Sequence, residues 1–189
     1  MIKEKDIKVP SGKELIDARS LLEQMNIEEK MKVADLGCGR RAYFSLQAAK
    51  LIGPQGIVYA VDVVKGVLEN VKSMANLFGV QNIITIWADL EVAGGTKIPE
   101  QSIDLAILNN ILFQTKKDEL IIKEASRILK NGGKLLVVDW KKTSTPFGPS
   151  LEDRSDPNEI KILADKYQMA IDQEFEAGPY HYGLIFIKK

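Results

Sequence analysis

The fold of this chain is decided by the stretch KVADLGCGRRA, residues Lys32 to Ala42. Its first five residues form a short apolar run, which is typical of a strand buried on both faces of a parallel sheet. Two glycines follow, and a helical pattern then runs from residue 42 to residue 51, before the breaker Gly53-Pro54. A strand, a glycine-rich turn and a helix in this order indicate the first unit of an α/β sheet.

The same alternation continues along the chain. We predict further strands at residues 56–61, 82–87, 102–108, 134–140, 170–177 and 182–187, and helices at residues 12–25, 42–51, 64–78, 118–129 and 157–167. Because Gly178-Pro179 is too short for a crossover, the last two strands must be antiparallel. The sequence therefore predicts a doubly wound, Rossmann-like α/β fold. Its seven-stranded mixed sheet has an antiparallel last strand and helices on both faces.

Length and composition limit the class of protein. The 189 residues predict one domain, residues 1–189, and the balance of 26 basic against 26 acidic residues disfavours nucleic acid as a partner. One cysteine, Cys38, and one histidine, His181, disfavour a disulfide or a metal site, so we expect no metal. Since the chain has no apolar run of about 18 residues and no signal-peptide pattern, we expect no membrane span and a cytoplasmic location.

Acidic residues follow the first three predicted strands. Asp35, Asp62 and Asp89 lie at strand ends, where ligands bind in sheets of this kind. Taken alone, the glycine spacing after Asp35 also fits a dinucleotide fingerprint. However, a carboxylate just before the glycines repels a pyrophosphate and suits an ammonium group, whereas Asp62 suits the hydroxyls of a ribose. A ligand with a ribose, a cationic end and no phosphate is S-adenosylmethionine.

These motifs resemble those of the class I S-adenosylmethionine-dependent methyltransferases, a group that includes quinone-biosynthesis methyltransferases. The similarity covers about residues 33–140, and the terminal strand pair extends it to residue 189. The resemblance implies S-adenosylmethionine as the cofactor and an N-terminal helical cover, residues 1–30, on the substrate side of a core at 31–189. The cofactor-binding residues that it implies are Asp35, Gly37, Cys38, Gly39, Asp62, Val63, Asp89, Leu90 and Asn109.

The sequence departs from the family at one position. The family often has a third glycine where this chain has Arg41. A side chain is tolerated there if φ stays negative. The pair Arg40-Arg41 could narrow the pocket, cover it or point to solvent, and a non-catalytic or regulatory domain is the corresponding alternative function.

We expect in-line methyl transfer to a small molecule. Apolar residues near the strand ends, Ile111, Leu112, Phe113 and Phe147, suggest an apolar or aromatic acceptor. No catalytic residue is evident except His181, which could act as a general base or simply pack in its turn. Asp35 and Asp62 could likewise only cap the helices that follow them.

Other functions remain open at this stage. An RNA or protein methyltransferase is one alternative, and an NAD(P)-binding oxidoreductase on a related sheet is a remote one. The sequence leaves the oligomeric state open.

Overall fold

The computed structural model describes residues 16–189, which form one seven-stranded sheet in the order β3-β2-β1-β4-β5-β7-β6. The elements in chain order are α1 (Ala18–Gln24), β1 (Lys32–Leu36), α2 (Tyr43–Leu51), β2 (Ile57–Asp62), α3 (Lys65–Leu77), β3 (Ile83–Trp87), β4 (Ile103–Asn109), a 3-10 turn (Leu112–Gln114), α4 (Asp118–Ile128), β5 (Leu129–Trp140), α5 (Pro157–Lys166), β6 (Met169–Glu176) and β7 (His181–Lys188).

The direction of the strands gives the sheet one functional edge. Strands β1 to β5 are parallel to one another, and β7 runs antiparallel to both of its neighbours, β5 and β6. Asp35 in β1 lies opposite Ala60 in β2 and Ile107 in β4, while Asp62 ends β2 opposite Trp87. The carboxyl ends of β1, β2, β3 and β4 therefore meet at the same edge, where α/β sheets bind ligands.

Helices cover both faces of the sheet. Side chains alternate along β1, so Val33 packs with α1, α2 and α3 on one face, whereas Ala34 packs with α4 and α5 on the other. All five helices bury apolar residues. The predicted fold class, a Rossmann-like mixed sheet with an antiparallel last strand, is confirmed. Within residues 16–189, no helix combines the length and the apolar character needed to cross a membrane.

Most elements match their predicted bounds to within one residue, and two begin five or more residues away from the predicted start. Strand β5 begins at Leu129 rather than at residue 134, because Leu129 is already extended at the end of α4 and pairs with Ile103. Near the amino terminus, α1 begins at Ala18, and the Asp17 carboxylate caps it by accepting from the amides of its first turn. The amino-terminal part of the helix predicted at residues 12–25 lies outside the described residues.

Candidate functional site

A cavity of about 750 Å³ opens at the carboxyl edge of β1 to β4. Its size is within the range usual for small-molecule and cofactor sites. The structure brings together all nine residues for which the sequence predicts a cofactor-binding role. They line this one cavity: Asp35, Gly37, Cys38, Gly39, Asp62, Val63, Asp89, Leu90 and Asn109.

The glycine turn, residues 37–42, forms the floor between β1 and α2. Gly37 has a φ of +80°, and a Cβ placed there would collide with the side chain of Ile111. The amides of Gly37 and Cys38 donate to the Val61 carbonyl at 2.8 and 2.9 Å, which ties the turn to β2. Burial raises the pKa of the Cys38 thiol, so this side chain stays protonated and acts as a small packing group.

Asp35 is the most deeply buried carboxylate of the cavity, with only 2% of its surface exposed. The Ser45 hydroxyl donates to its Oδ2 at 2.5 Å, so Asp35 also anchors the first turn of α2. Burial raises the pKa of Asp35 to about 6, against the lowering effect of Ser45, and the negative charge of Asp62 adds to the rise. A cationic ligand would offset this burial cost and favour the ionised form.

Asp62 and Asp89 hold the backbone of two further turns. Asp62 accepts from the Gly39 amide at 3.1 Å and from the Val64 amide at 2.9 Å, where α3 begins. Asp89 accepts from the Glu91 amide at 2.8 Å and is otherwise exposed. Since an ionised carboxylate offers about four acceptor positions, both keep acceptor capacity for a ligand.

The loop after β4 forms the opposite wall of the cavity. The side-chain oxygens of Asn109 and Asn110 are buried there and have no hydrogen-bond partner among residues 16–189. Asn110 also has a φ of +56°, and its carbonyl accepts from the Gln114 amide group at 2.6 Å. Strained backbone and unsatisfied polar atoms are found together at functional sites.

Asp139, which the sequence analysis did not single out, holds this loop in place. Its buried carboxylate accepts from the amides of Leu112 at 2.9 Å and of Trp140 at 2.7 Å. Burial raises the pKa of Asp139 to about 6, although the backbone hydrogen bonds, including one from Phe113, oppose the rise. An acidic residue within the apolar run LLVVDW was the signal that could have drawn attention to it.

Glu91 was also missed, and it joins two loops at the cavity. Its carboxylate accepts from the Thr115 hydroxyl at 2.6 Å and pairs with Lys117 at 2.8 Å. Hydrogen bonding to Lys117, together with that from Thr115, lowers the pKa of Glu91. The loop after β3, which carries Asp89, is thereby connected to the loop after β4.

Arg40 and Arg41 leave the cavity open. Both residues line it and are exposed. Arg41 is not in the positive-φ region, since Ala42, with a φ of +46°, is the non-glycine residue of the turn that adopts it. The backbone therefore accommodates an arginine at this position without strain.

Comparison with known proteins agrees with this geometry. A family model described as a methyltransferase domain matches residues 27–178. The aklanonic acid methyltransferase DauC from Streptomyces is 31% identical over 143 residues, which are 74% of this chain and 60% of that protein. The ubiquinone/menaquinone biosynthesis C-methyltransferase UbiE from Bordetella parapertussis is 28% identical over 162 residues, covering 78% of this chain and 60% of that protein.

The chain belongs to this methyltransferase family. The prediction of a class I S-adenosylmethionine-dependent methyltransferase is thereby confirmed at the level of the family. A crystal structure of a SAM-dependent methyltransferase from Aquifex aeolicus has the same fold, with a TM-score of 0.86 and 23% identity over 96% of this chain and 94% of that one. The chain spans about three fifths of the length of DauC and UbiE.

In this domain, His181 lies outside the residues that line the cavity. It is fully buried, pairs with Trp140 across β5 and β7, and has its ring centroid 4.3 Å from that of Trp140. Burial lowers the pKa of His181 to about 4, and the charges of Lys141 and Arg154 add to this effect. Its role as a general base stays a prediction, which this placement does not favour.

The loop after β5 folds around Arg154 and packs against Trp140. Arg154 is buried and donates to the carbonyls of Lys141 at 2.8 Å and Pro149 at 3.1 Å, and its guanidinium lies 5.3 Å from the Trp140 ring centroid. Of the apolar residues expected near the mouth, Ile111 lines the cavity, whereas Leu112 is buried in the core. Phe147 packs against Trp140 and Tyr180.

Proposed function

We propose that this domain transfers a methyl group from S-adenosylmethionine to a small, apolar or aromatic molecule. The observation that carries the proposal is the convergence of Asp35, Asp62 and Asp89, from three different strands, on one cavity. This arrangement complements a nucleoside with a cationic end and lacks the phosphate-binding character of a dinucleotide site.

The residues of the cavity fit the parts of this cofactor. Asp35 and the Asn109 backbone would hold the ammonium group, and Asp62 would accept from the ribose hydroxyls. Asp89 would meet the adenine amine beside Val63 and Leu90. When bound, the cofactor supplies a methyl group on a positively charged sulfur, and this sulfur leaves as a neutral thioether when the methyl group is transferred.

The protein contributes by positioning the acceptor beside the cofactor and by excluding water from the cavity. Ile111 packs over Gly37, and Ile16, Tyr43 and Ile121 add further apolar surface to the cavity. Such a wall excludes water and orients an acceptor beside the cofactor, which can lower a reaction barrier without a dedicated acid or base. The side chain of Ile16 in this wall supports the proposal that residues 1–30 cover the substrate side of a core at 31–189.

An apolar or aromatic acceptor is favoured by two observations. The cavity wall is rich in aliphatic and aromatic groups, and two relatives are named for the small molecules aklanonic acid and demethylmenaquinone. The zero net charge of the chain supports a small molecule over nucleic acid.

Cofactor titration and methyl transfer test this function together. We expect S-adenosylmethionine to raise the melting temperature, because it binds only the native protein. Radiolabelled methyl groups should then pass to members of a panel of quinols, phenols and aromatic acids. Stabilisation by NADH alone would contradict the proposal, and cofactor binding without transfer to the panel or to bulk RNA would favour a non-catalytic domain.

A further inference from the structure

The charged groups of the cavity are distributed unevenly. Four lining residues carry carboxylates, and in the part of the chain that the structure describes the only lining cations are Arg40 and Arg41. The proposed cofactor brings a carboxylate of its own, on the carbon that bears its ammonium group. Because the cavity is lined by acidic residues, the cofactor carboxylate needs a cationic or amide group to offset their repulsion.

Four backbone amides of the glycine turn, residues 37–42, already donate hydrogen bonds within the protein. The amides of Gly37 and Cys38 donate to Val61, and the amide of Gly39 donates to the Asp62 carboxylate. The amide of Ala42 donates to the Gly39 carbonyl at 3.1 Å. The glycine part of this turn is therefore engaged by the protein itself, which favours the arginine part of the turn as the place where an anion would bind.

The two arginines of the turn carry positive charge at the cavity. Neither forms an ion pair within 4.0 Å among residues 16–189. The Asn70 amide group donates to the Arg40 carbonyl at 2.5 Å and fixes the turn from α3. Because both arginines follow Asp35 closely on the same turn, an anion beside the ammonium ligand lies near them.

We propose that Arg40 and Arg41 form a carboxylate-binding subsite for the amino-acid part of S-adenosylmethionine. The inference rests on the proposed function and gives a role to the arginine that replaces the usual third glycine. The planar guanidinium can bind a carboxylate through two parallel hydrogen bonds, which an ammonium group cannot do. An acceptor with a carboxylate would offer the same chemistry, so the test must separate the two sources.

Calorimetric titration with S-adenosylmethionine and with its decarboxylated form separates them. The two ligands share the adenosine, the sulfonium and the ammonium group, and they differ by the carboxylate. We expect the wild type to bind S-adenosylmethionine roughly tenfold more tightly than the decarboxylated ligand. Arg40→Ala and Arg41→Ala together should remove this preference, while affinity for the decarboxylated ligand stays the same or rises.

Matched variants control for charge and folding. Lys65→Ala also removes a cation, but Lys65 lies over the exposed Trp87 ring rather than in the cavity, so the preference should persist. Arg40→Lys with Arg41→Lys should restore part of it, since charge returns without the planar fork. Both arginines are exposed, so their variants are expected to fold.

The outcomes are decisive. A preference that disappears only in the arginine variants supports the subsite. If the arginine variants still prefer S-adenosylmethionine over its decarboxylated form, the subsite is overturned, even if they lose affinity for an acidic acceptor. An equal loss of affinity for both ligands would also overturn it. If the wild type binds neither ligand, the proposed function fails as well.

Discussion

The Ser45 hydroxyl donates a hydrogen bond of 2.5 Å to the buried Asp35 carboxylate, and this contact joins the start of α2 to the end of β1. Even with this donor, burial holds the pKa of Asp35 at about 6, above its ordinary value of 3.8. The free protein therefore keeps an ionised group where the charge is disfavoured. A site that binds a cation has this property, because its buried carboxylate destabilises the free protein until the cation binds.

Replacing the Asp35 carboxylate should change the stability of the fold and the affinity for the cofactor in opposite directions. In Asp35→Asn, the Ser45 hydroxyl keeps an acceptor but the buried charge is gone. We expect the free energy of unfolding at neutral pH to rise by on the order of 1–3 kcal/mol, since a raised folded-state pKa means that ionisation destabilises the fold. Urea unfolding measures this, and calorimetry should show at least a tenfold loss of affinity for S-adenosylmethionine. A variant that is less stable and still binds the cofactor would contradict the account.

Cofactor affinity should depend on pH through the same group. The ammonium ligand requires ionised Asp35, so affinity should increase as the pH rises through the pKa of about 6 and then level off. Below that pKa the affinity should fall by up to about tenfold per pH unit. Titrations across this range should be nearly flat in Asp35→Asn. A dependence that survives in this variant would assign it to another group, such as Asp139, whose pKa is also raised to about 6.

The loop after β4 should depend on Asp139. In Asp139→Asn, one of the amides of Leu112 and Trp140 would face an N–H group instead of an oxygen, at a local cost of about 1–3 kcal/mol that opposes the gain from removing a buried charge. Hydrogen exchange should quicken at Leu112 and Phe113 before it does in the sheet. Asp172→Asn, on the exposed face of β6, is the matched control. Equal exchange in both variants would show that Asp139 does not hold the loop.

Gly37 should tolerate substitution less well than Gly39. Both have a positive φ, but an added Cβ meets Ile111 at Gly37 and open space at Gly39. We expect Gly39→Ala to cost about 1 kcal/mol from backbone strain and Gly37→Ala clearly more, with loss of cofactor binding. Adding Ile111→Ala should recover part of the loss in Gly37→Ala. Equal melting temperatures of the two single variants would refute the close contact.

Local pattern was sufficient to predict the frame of the site. Strand β1 was predicted with its observed bounds, because its apolar run stops directly at Gly37. The parallel arrangement then required that the ends of β1, β2 and β3 meet, which places Asp35, Asp62 and Asp89 together. The parallel direction of these strands follows from chain alternation, so their shared carboxyl edge could be predicted without coordinates, whereas no strand order was predicted.

The contacts between distant loops were not accessible in this way. Glu91 meets Thr115 and Lys117, and Asp139 meets Leu112, only after the sheet has formed. Arg154 lies between β5 and α5, where the sequence predicted no helix or strand, yet it is buried and donates to backbone carbonyls. Such contacts depend on loop conformations that no periodicity encodes.

The central claim is that three carboxylates hold one adenosine-bearing cation. Calorimetry of the wild type with S-adenosylmethionine and with NADH, repeated on Asp62→Ala, tests it most directly. We predict that S-adenosylmethionine binds to one site, that NADH does not bind, and that Asp62→Ala weakens the cofactor by at least tenfold through loss of the ribose contacts. Binding of NADH in place of S-adenosylmethionine, or full affinity in Asp62→Ala, would contradict the account.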